Sequence, residues 1–205
     1  LNKIYPQLFF FPFMKKDEYQ LFSKLCRNKN TILEYGSGGS TIHFLKQRKK
    51  VFSVESNPEF FRMMSSINLV EKALNKNFKY RFVDLGPTSK WGEPINNDKI
   101  ENWGQYYESI WKDITPAEEK LDVIFIDGRF RVCCSLYSIL KILEYNWKDT
   151  LLIMHDFTKR NNYKAILKFV DIINFSRTLY AFKVKNEVDV QALKATLDEY
   201  AFETK

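Results

Sequence analysis

The stretch Ile32-Leu33-Glu34-Tyr35-Gly36-Ser37-Gly38-Gly39-Ser40-Thr41 passes from an apolar segment through closely spaced glycines into residues able to start a helix. A short apolar run ending at glycine reads as a buried strand. Glycines placed just after it let the backbone approach a ligand with no Cβ in the way. A plain turn needs only one glycine, so the spacing points to a ligand. A dinucleotide G-x-G-x-x-G fingerprint starting at Gly36 requires glycine or alanine at position 41, where this chain has Thr41. That substitution disfavours a nicotinamide cofactor.

Outward from this stretch, short apolar runs alternate with longer amphipathic ones. Strands are predicted over Thr31–Tyr35, 51–54, 80–83, 121–126, 150–154, 172–175 and Leu179–Val184. Helices are predicted over 17–27, 40–48, 58–74, 106–111, 131–145, 159–170 and 190–200. Asn57 and Pro58 suit the cap and first position of the third of these helices. The run 121–126 is almost wholly apolar, as a strand buried on both faces must be. The alternation predicts an α/β, Rossmann-like, doubly wound fold with a mostly parallel seven-stranded sheet and helices on both faces. No linker or repeat divides the chain, so residues 1–205 are expected to form one domain, with 1–29 a lead-in and candidate lid.

At 205 residues the chain can bury a core without metals or disulfides. Its 32 basic and 25 acidic residues give a net charge of +7. The basic residues are spread from Lys3 to Lys205 with no nucleic-acid motif among them, which predicts a solubilising surface rather than a nucleic-acid partner. Cys26, Cys133 and Cys134 are odd in number and lack metal-site spacing, so a reducing compartment is expected. The apolar run from Leu8 to Met14 is too short to span a bilayer, contains Pro12, and has neither the basic start nor the cleavage site of a signal peptide. The expectation is a cytoplasmic protein with no membrane partner.

In a doubly wound sheet, ligands bind beyond the carboxyl ends of the strands. Those ends carry the glycine loop, Glu55, Asp84, Asp127-Gly128 and His155-Asp156. Glu55 can accept hydrogen bonds from both ribose hydroxyls of a nucleoside. Asp84 either accepts from an adenine amine or forms the turn before Gly86-Pro87.

Together the Glu34-Tyr35-Gly36-Ser37-Gly38 loop, Glu55, Asp84 and Asp127-Gly128 resemble the class I S-adenosylmethionine-dependent methyltransferases, over residues 31–157. The resemblance implies that Gly36, Ser37 and Gly38 approach the methionine part of S-adenosylmethionine, that Glu55 binds its ribose, and that Asp84 and Asp127 line the same pocket. Such a cofactor has no pyrophosphate to cradle, and its positive charges favour a nearby carboxylate. Glu34 is a candidate for that carboxylate, the alternative being a buried acid held by backbone amides.

His155 is a candidate general base, with Asp127 and Asp156 as catalytic carboxylates; its alternative is a structural histidine. His43, inside a predicted helix, is assigned to packing or surface. Asp127 and Asp156 also resemble the metal ligands of metal-dependent O-methyltransferases. However, Phe157 follows Asp156 where that group has an amide, and Phe130 replaces a lysine, so a divalent metal is only the alternative. Arg129, Arg131, Lys159 and Arg160 are candidates for gripping a carboxylate or phosphate. Trp91, Trp103, Tyr106, Tyr107 and Trp111 are candidates for a lid stacking on a ring or sugar. The expected activity is methyl transfer to a small molecule, anionic or sugar-containing, with oxygen as the expected acceptor atom. A non-catalytic nucleoside-binding protein and a nicotinamide-dependent oxidoreductase stay open as alternatives.

Overall fold

Strand β1 (Thr31–Tyr35) lies between β2 (Lys50–Glu55) and β4 (Val123–Ile126), parallel to both, and each of the three is buried on both faces. The computed structural model describes residues 11–204. Residues 1–10 of the predicted lead-in, with the start of its apolar run, lie outside them. The full sheet has seven strands in the order β3-β2-β1-β4-β5-β7-β6, adding β3 (Phe78–Phe82), β5 (Leu151–Met154), β6 (Val170–Ser176) and β7 (Leu179–Val184).

Alternate side chains serve two layers. Leu33, Tyr35, Phe52, Val54, Ile124, Ile126, Leu152 and Met154 pack on one face against α5 (Gln105–Glu108), α6 (Arg131–Glu144) and α7 (Val190–Tyr200). Ile32, Val51, Val123, Phe125 and Ile153 pack on the other against α1 (Lys16–Cys26), α2 (Gly39–Lys46), α3 (Pro58–Ser65) and α4 (Asn68–Ala73). The expected helices on both faces are therefore present.

The sheet is mixed rather than parallel throughout. β7 runs antiparallel to both β5 and β6. Only Arg177 and Thr178 link β6 to β7, which is long enough for a hairpin and far too short for a crossover. Arg177 supplies the left-handed turn geometry with φ 50°. The outer strand β6 exposes Ile172, Ile173 and Phe175, and an irregularity between Ile172 and Asn174 interrupts its pairing.

Three predicted helices differ, the one over 106–111 being the short α5 followed by a 3-10 helix, Ser109–Asp113. The expected helix over 58–74 is the pair α3 and α4. Asn57 does cap α3, its Oδ1 accepting from Phe60 N at 2.8 Å. At the other end the hydroxyls of Ser65 and Ser66 bond back to Phe61 O and Met63 O, each at 2.8 Å, which favours a break over another turn. The expected helix over 159–170 is instead a 3-10 helix, Asn161–Lys168, after a single turn at Phe157–Lys159.

Candidate functional site

Helix α2 leaves β1 toward one face of the sheet, while α6 leaves the adjacent β4 toward the other. The chain thus parts at the carboxyl ends of β1 and β4, the switch point where this architecture binds ligands. Gly36, with φ +89°, fills the junction so closely that an added Cβ would lie 2.6 Å from Gly128 Cα. Gly128 is tight in turn, since its Cβ would sit 2.1 Å from the Tyr106 hydroxyl. Gly38 is the opposite case: among the described residues a Cβ there would meet nothing within 4 Å, so these leave room beside the loop.

The acid expected to face the cofactor's charges, Glu34, is turned under the loop. It is fully buried and accepts hydrogen bonds from the hydroxyls of Ser40, Thr41 (2.5 Å) and Ser53 (3.2 Å). Burial outweighs these bonds and pushes its carboxyl up to about 7. Three hydroxyls, not backbone amides, hold it against the first turn of α2. Its role is to fix the loop from below.

Glu55, the last residue of β2, sits at the edge of the switch point. Its Oε1 accepts from the backbone N–H groups of Ser56 and Asn57, both at 2.8 Å, and its Oε2 from the Ser37 hydroxyl at 3.0 Å. The Ser37 hydroxyl also meets the Tyr80 hydroxyl at 2.6 Å. Burial raises the Glu55 carboxyl above its ordinary value against these favourable bonds. Asp84 is half exposed; the bond from Lys99, then that from the Gly86 amide at 3.0 Å, lower its carboxyl. It thus forms the turn before Gly86-Pro87. Trp103, Tyr106, Tyr107 and Trp111 are buried, with Trp111 Nε1 donating to the Tyr35 hydroxyl at 2.8 Å, and serve as packing. Trp91 alone of the five is largely exposed, and Phe13 lies beside it with ring centroids 6.3 Å apart.

At the ends of β4 and β5, Asp127, His155 and Asp156 come together as expected. Asp127 Oδ1 lies 3.2 Å from His155 Nδ1, and Asp156 Oδ1 lies 3.8 Å from its Nε2. Burial opposes charging the ring, but Asp127, Asp156 and Glu18 outweigh it and lift His155 to about 9. At neutral pH the ring is an imidazolium, with no lone pair to offer. The surrounding carboxylates thus favour the charged ring, which bears against the expected role as the base.

The three side chains could bring one ligand atom each to a metal ion, yet their charges are already matched. Arg131 lies 3.2 Å from Asp127 Oδ1 and 3.8 Å from Asp156 Oδ2, while Lys159 lies 2.8 Å from Asp156 Oδ1. A divalent cation would have to displace the proton on His155 and oppose two fixed cations. The donor set does not fit a metal. His43 packs against Tyr19, Phe22 and Phe44, as expected.

No protein-family profile matches the chain, and no curated protein matches it. Among solved structures, a methyltransferase-like protein from Silicibacter pomeroyi aligns with a TM-score of 0.77 at 26% identity, covering 97% of this chain and 100% of that one. The chain has a class I methyltransferase fold. A Podospora anserina methyltransferase solved with SAH bound shares the fold at a TM-score of 0.53 and 13% identity, covering 84% of this chain and 80% of that one.

One member of the site in this methyltransferase fold escaped the sequence. Glu18, in the first turn of α1, is buried, and its Oε2 lies 3.6 Å from His155 Nε2. Its Oε1 accepts from the Thr178 amide (2.9 Å) and hydroxyl (2.7 Å), and its Oε2 from the Lys15 amide (2.8 Å). Against burial, these bonds hold the Glu18 carboxyl below its ordinary value. The sequence signal was an acid at a helix start, which the helix dipole accounts for just as well. Glu18→Gln is expected to lower the His155 titration midpoint by roughly one unit, since it removes one nearby carboxylate. NMR titration of the imidazole checks this, and an unmoved midpoint would remove Glu18 from the site.

Proposed function

We propose that the protein transfers a methyl group from S-adenosylmethionine to a small molecule, at an oxygen atom. The observation that carries this reading is Glu55, a carboxylate fixed at the end of β2 beside Ser37 of the glycine turn. Two backbone amides orient one of its oxygens, and the other receives a single hydroxyl, which leaves one of about four acceptor positions open to a ribose hydroxyl, and a second when the Ser37 hydroxyl turns to Tyr80 alone. The open space beside Gly38 suits the amino-acid arm of the same cofactor. When bound, S-adenosylmethionine supplies an electrophilic methyl group on a sulfonium.

The chain's own residues then act by placement. Gly36 and Gly38 let the backbone come close, and Glu55 sets the position of the ribose. Asp127, with a side chain about one quarter exposed at 26%, takes the proton of the acceptor hydroxyl. His155 and Arg131 hold that carboxylate in place and stabilise its charge. Packing of Tyr106 against Gly128 limits water at the junction. We place the protein in the reducing environment of the cytoplasm, a reading supported by three buried free cysteines.

Calorimetry with S-adenosylhomocysteine and with NAD tests the cofactor. Binding of the first and none of the second is expected. Glu55→Gln should weaken S-adenosylhomocysteine about 10- to 100-fold, the worth of charge-assisted hydrogen bonds to ribose. Tight NAD binding with no response to S-adenosylhomocysteine would overturn the reading. Turnover of the labelled methyl group separates an enzyme from a nucleoside-binding protein.

A further inference from the structure

Four basic residues stand near the ends of β4 and β5, and three of them are accounted for. Arg131 donates to the carbonyls of Gly128 and His155 and pairs with Asp127. Lys159 pairs with Asp156, and Arg160 is exposed. Arg129 differs. Its side chain is only 15% exposed, its Nε is buried with no hydrogen-bond partner among the described residues, and Glu93 Oε2 lies 4.0 Å from Nη1. That distance is an ion pair too long for a hydrogen bond, so the Nε–H of a largely buried guanidinium goes without an acceptor, an arrangement that costs stability unless something fills it.

Its position indicates what fills it. The Arg129 amide donates to the Tyr106 hydroxyl at 3.2 Å, directly beside the Gly36–Gly128 junction. Its guanidinium reaches toward Glu93, next to Gly92, whose Cβ position lies 2.6 Å from Ser56 Oγ and 3.6 Å from Glu55 Oε1. The side chain therefore spans from the end of β4 to the loop that borders Glu55. A planar fork of N–H donors in that place matches the two oxygens of a carboxylate or a phosphate.

We propose that Arg129 receives a carboxylate or phosphate group of the methyl acceptor, so that the acceptor is an anion. The proposal rests on the methyl-transfer reading above and adds the substrate class to it. Arg131 is excluded from this task by its existing bonds, and Arg129 is the specificity-determining residue.

The test uses inorganic phosphate, titrated into protein saturated with S-adenosylhomocysteine at constant ionic strength with chloride as the balancing salt. The NMR signal of the Arg129 Nε–H group and calorimetry are read together. A saturable shift of that signal is expected, with phosphate affinity falling at least about tenfold in Arg129→Lys, which keeps the charge but loses the fork. Affinity for S-adenosylhomocysteine should stay within about twofold, and Arg160→Met should leave phosphate binding unchanged. No saturable shift in the wild type up to roughly 50 mM phosphate, well beyond a millimolar affinity, overturns the proposal. So does a variant that loses S-adenosylhomocysteine while keeping phosphate, because the guanidinium then serves the cofactor. If the wild type does not bind S-adenosylhomocysteine, the methyl-transfer reading fails, and with it the assignment to a methyl acceptor. Titration of the free protein then decides separately whether Arg129 receives anions.

Discussion

Gly36→Ala is expected to lower folding stability by about 2–5 kcal/mol and to abolish measurable binding of S-adenosylhomocysteine. Two costs combine. A φ of +89° is strained for any residue with a Cβ, at about 1–2 kcal/mol. The new methyl would also lie 2.6 Å from Gly128 Cα and 2.8 Å from its amide nitrogen, an overpacking worth about 1–3 kcal/mol. Neither partner can yield cheaply, because β1 and β4 are held in register from Ile32↔Val123 to Tyr35↔Ile126 and Gly128 is pressed against Tyr106. The relief available is to part the strand ends, which moves the loop that approaches the cofactor. Gly38→Ala is the control. With nothing within 4 Å among the described residues, it should change stability by less than about 0.5 kcal/mol, so a loss of ligand affinity in that variant reports space taken from the ligand itself. Urea unfolding and calorimetry measure both. Wild-type affinity in Gly36→Ala would show that no ligand uses the turn.

The difference between these neighbouring glycines also marks what the sequence could convey. That the loop was a close-approach turn was legible, because several glycines crowded behind an apolar run exceed what a simple reversal of the chain requires. Which glycine was sterically obligatory depended on β4 lying beside β1, a contact between residues far apart in the chain. The strands were legible from composition: continuous apolar runs such as Val123–Ile126 suit burial on both faces. Helical patterns misled where local hydroxyls or 3-10 geometry intervened, at Ser65-Ser66 and over Asn161–Lys168. The site shows the same division. Residue types at strand ends located Glu55, Asp127, His155 and Asp156, whereas their protonation and partners depended on α1, on α6 and on the β6–β7 turn. Glu34 shows this most directly. Its position in the motif was plain, but the hydroxyls of Ser40, Thr41 and Ser53 that claim it became visible only once β2 and α2 were folded around it.

His155 leads to the second large effect, a loss of about 3 kcal/mol of stability between pH 6 and pH 9.5 that His155→Asn should not show. The side chain is only 9% exposed and carries a pKa lifted to about 9, from an ordinary value of 6.5. A shift of this size is worth about 3 kcal/mol at 1.36 kcal/mol per unit. Because the folded value is the higher one, the folded state binds the proton more tightly. The contribution is fully present below about pH 6.5 and is lost as pH rises through about 9. Urea unfolding of wild type and variant at both pH values isolates the effect, since lysines, tyrosines and the packed ring of His43 titrate alike in the two proteins. Equal pH dependence would mean that Asp127, Asp156 and Glu18 do not hold a proton on the ring. The same outcome would return His155 to an ordinary midpoint and reopen its candidacy as the base. With the imidazolium intact, by contrast, turnover should show no rise centred near pH 6.5. Any loss of rate through pH 9 would then report loss of the positive charge that orients Asp127, rather than gain of a proton acceptor.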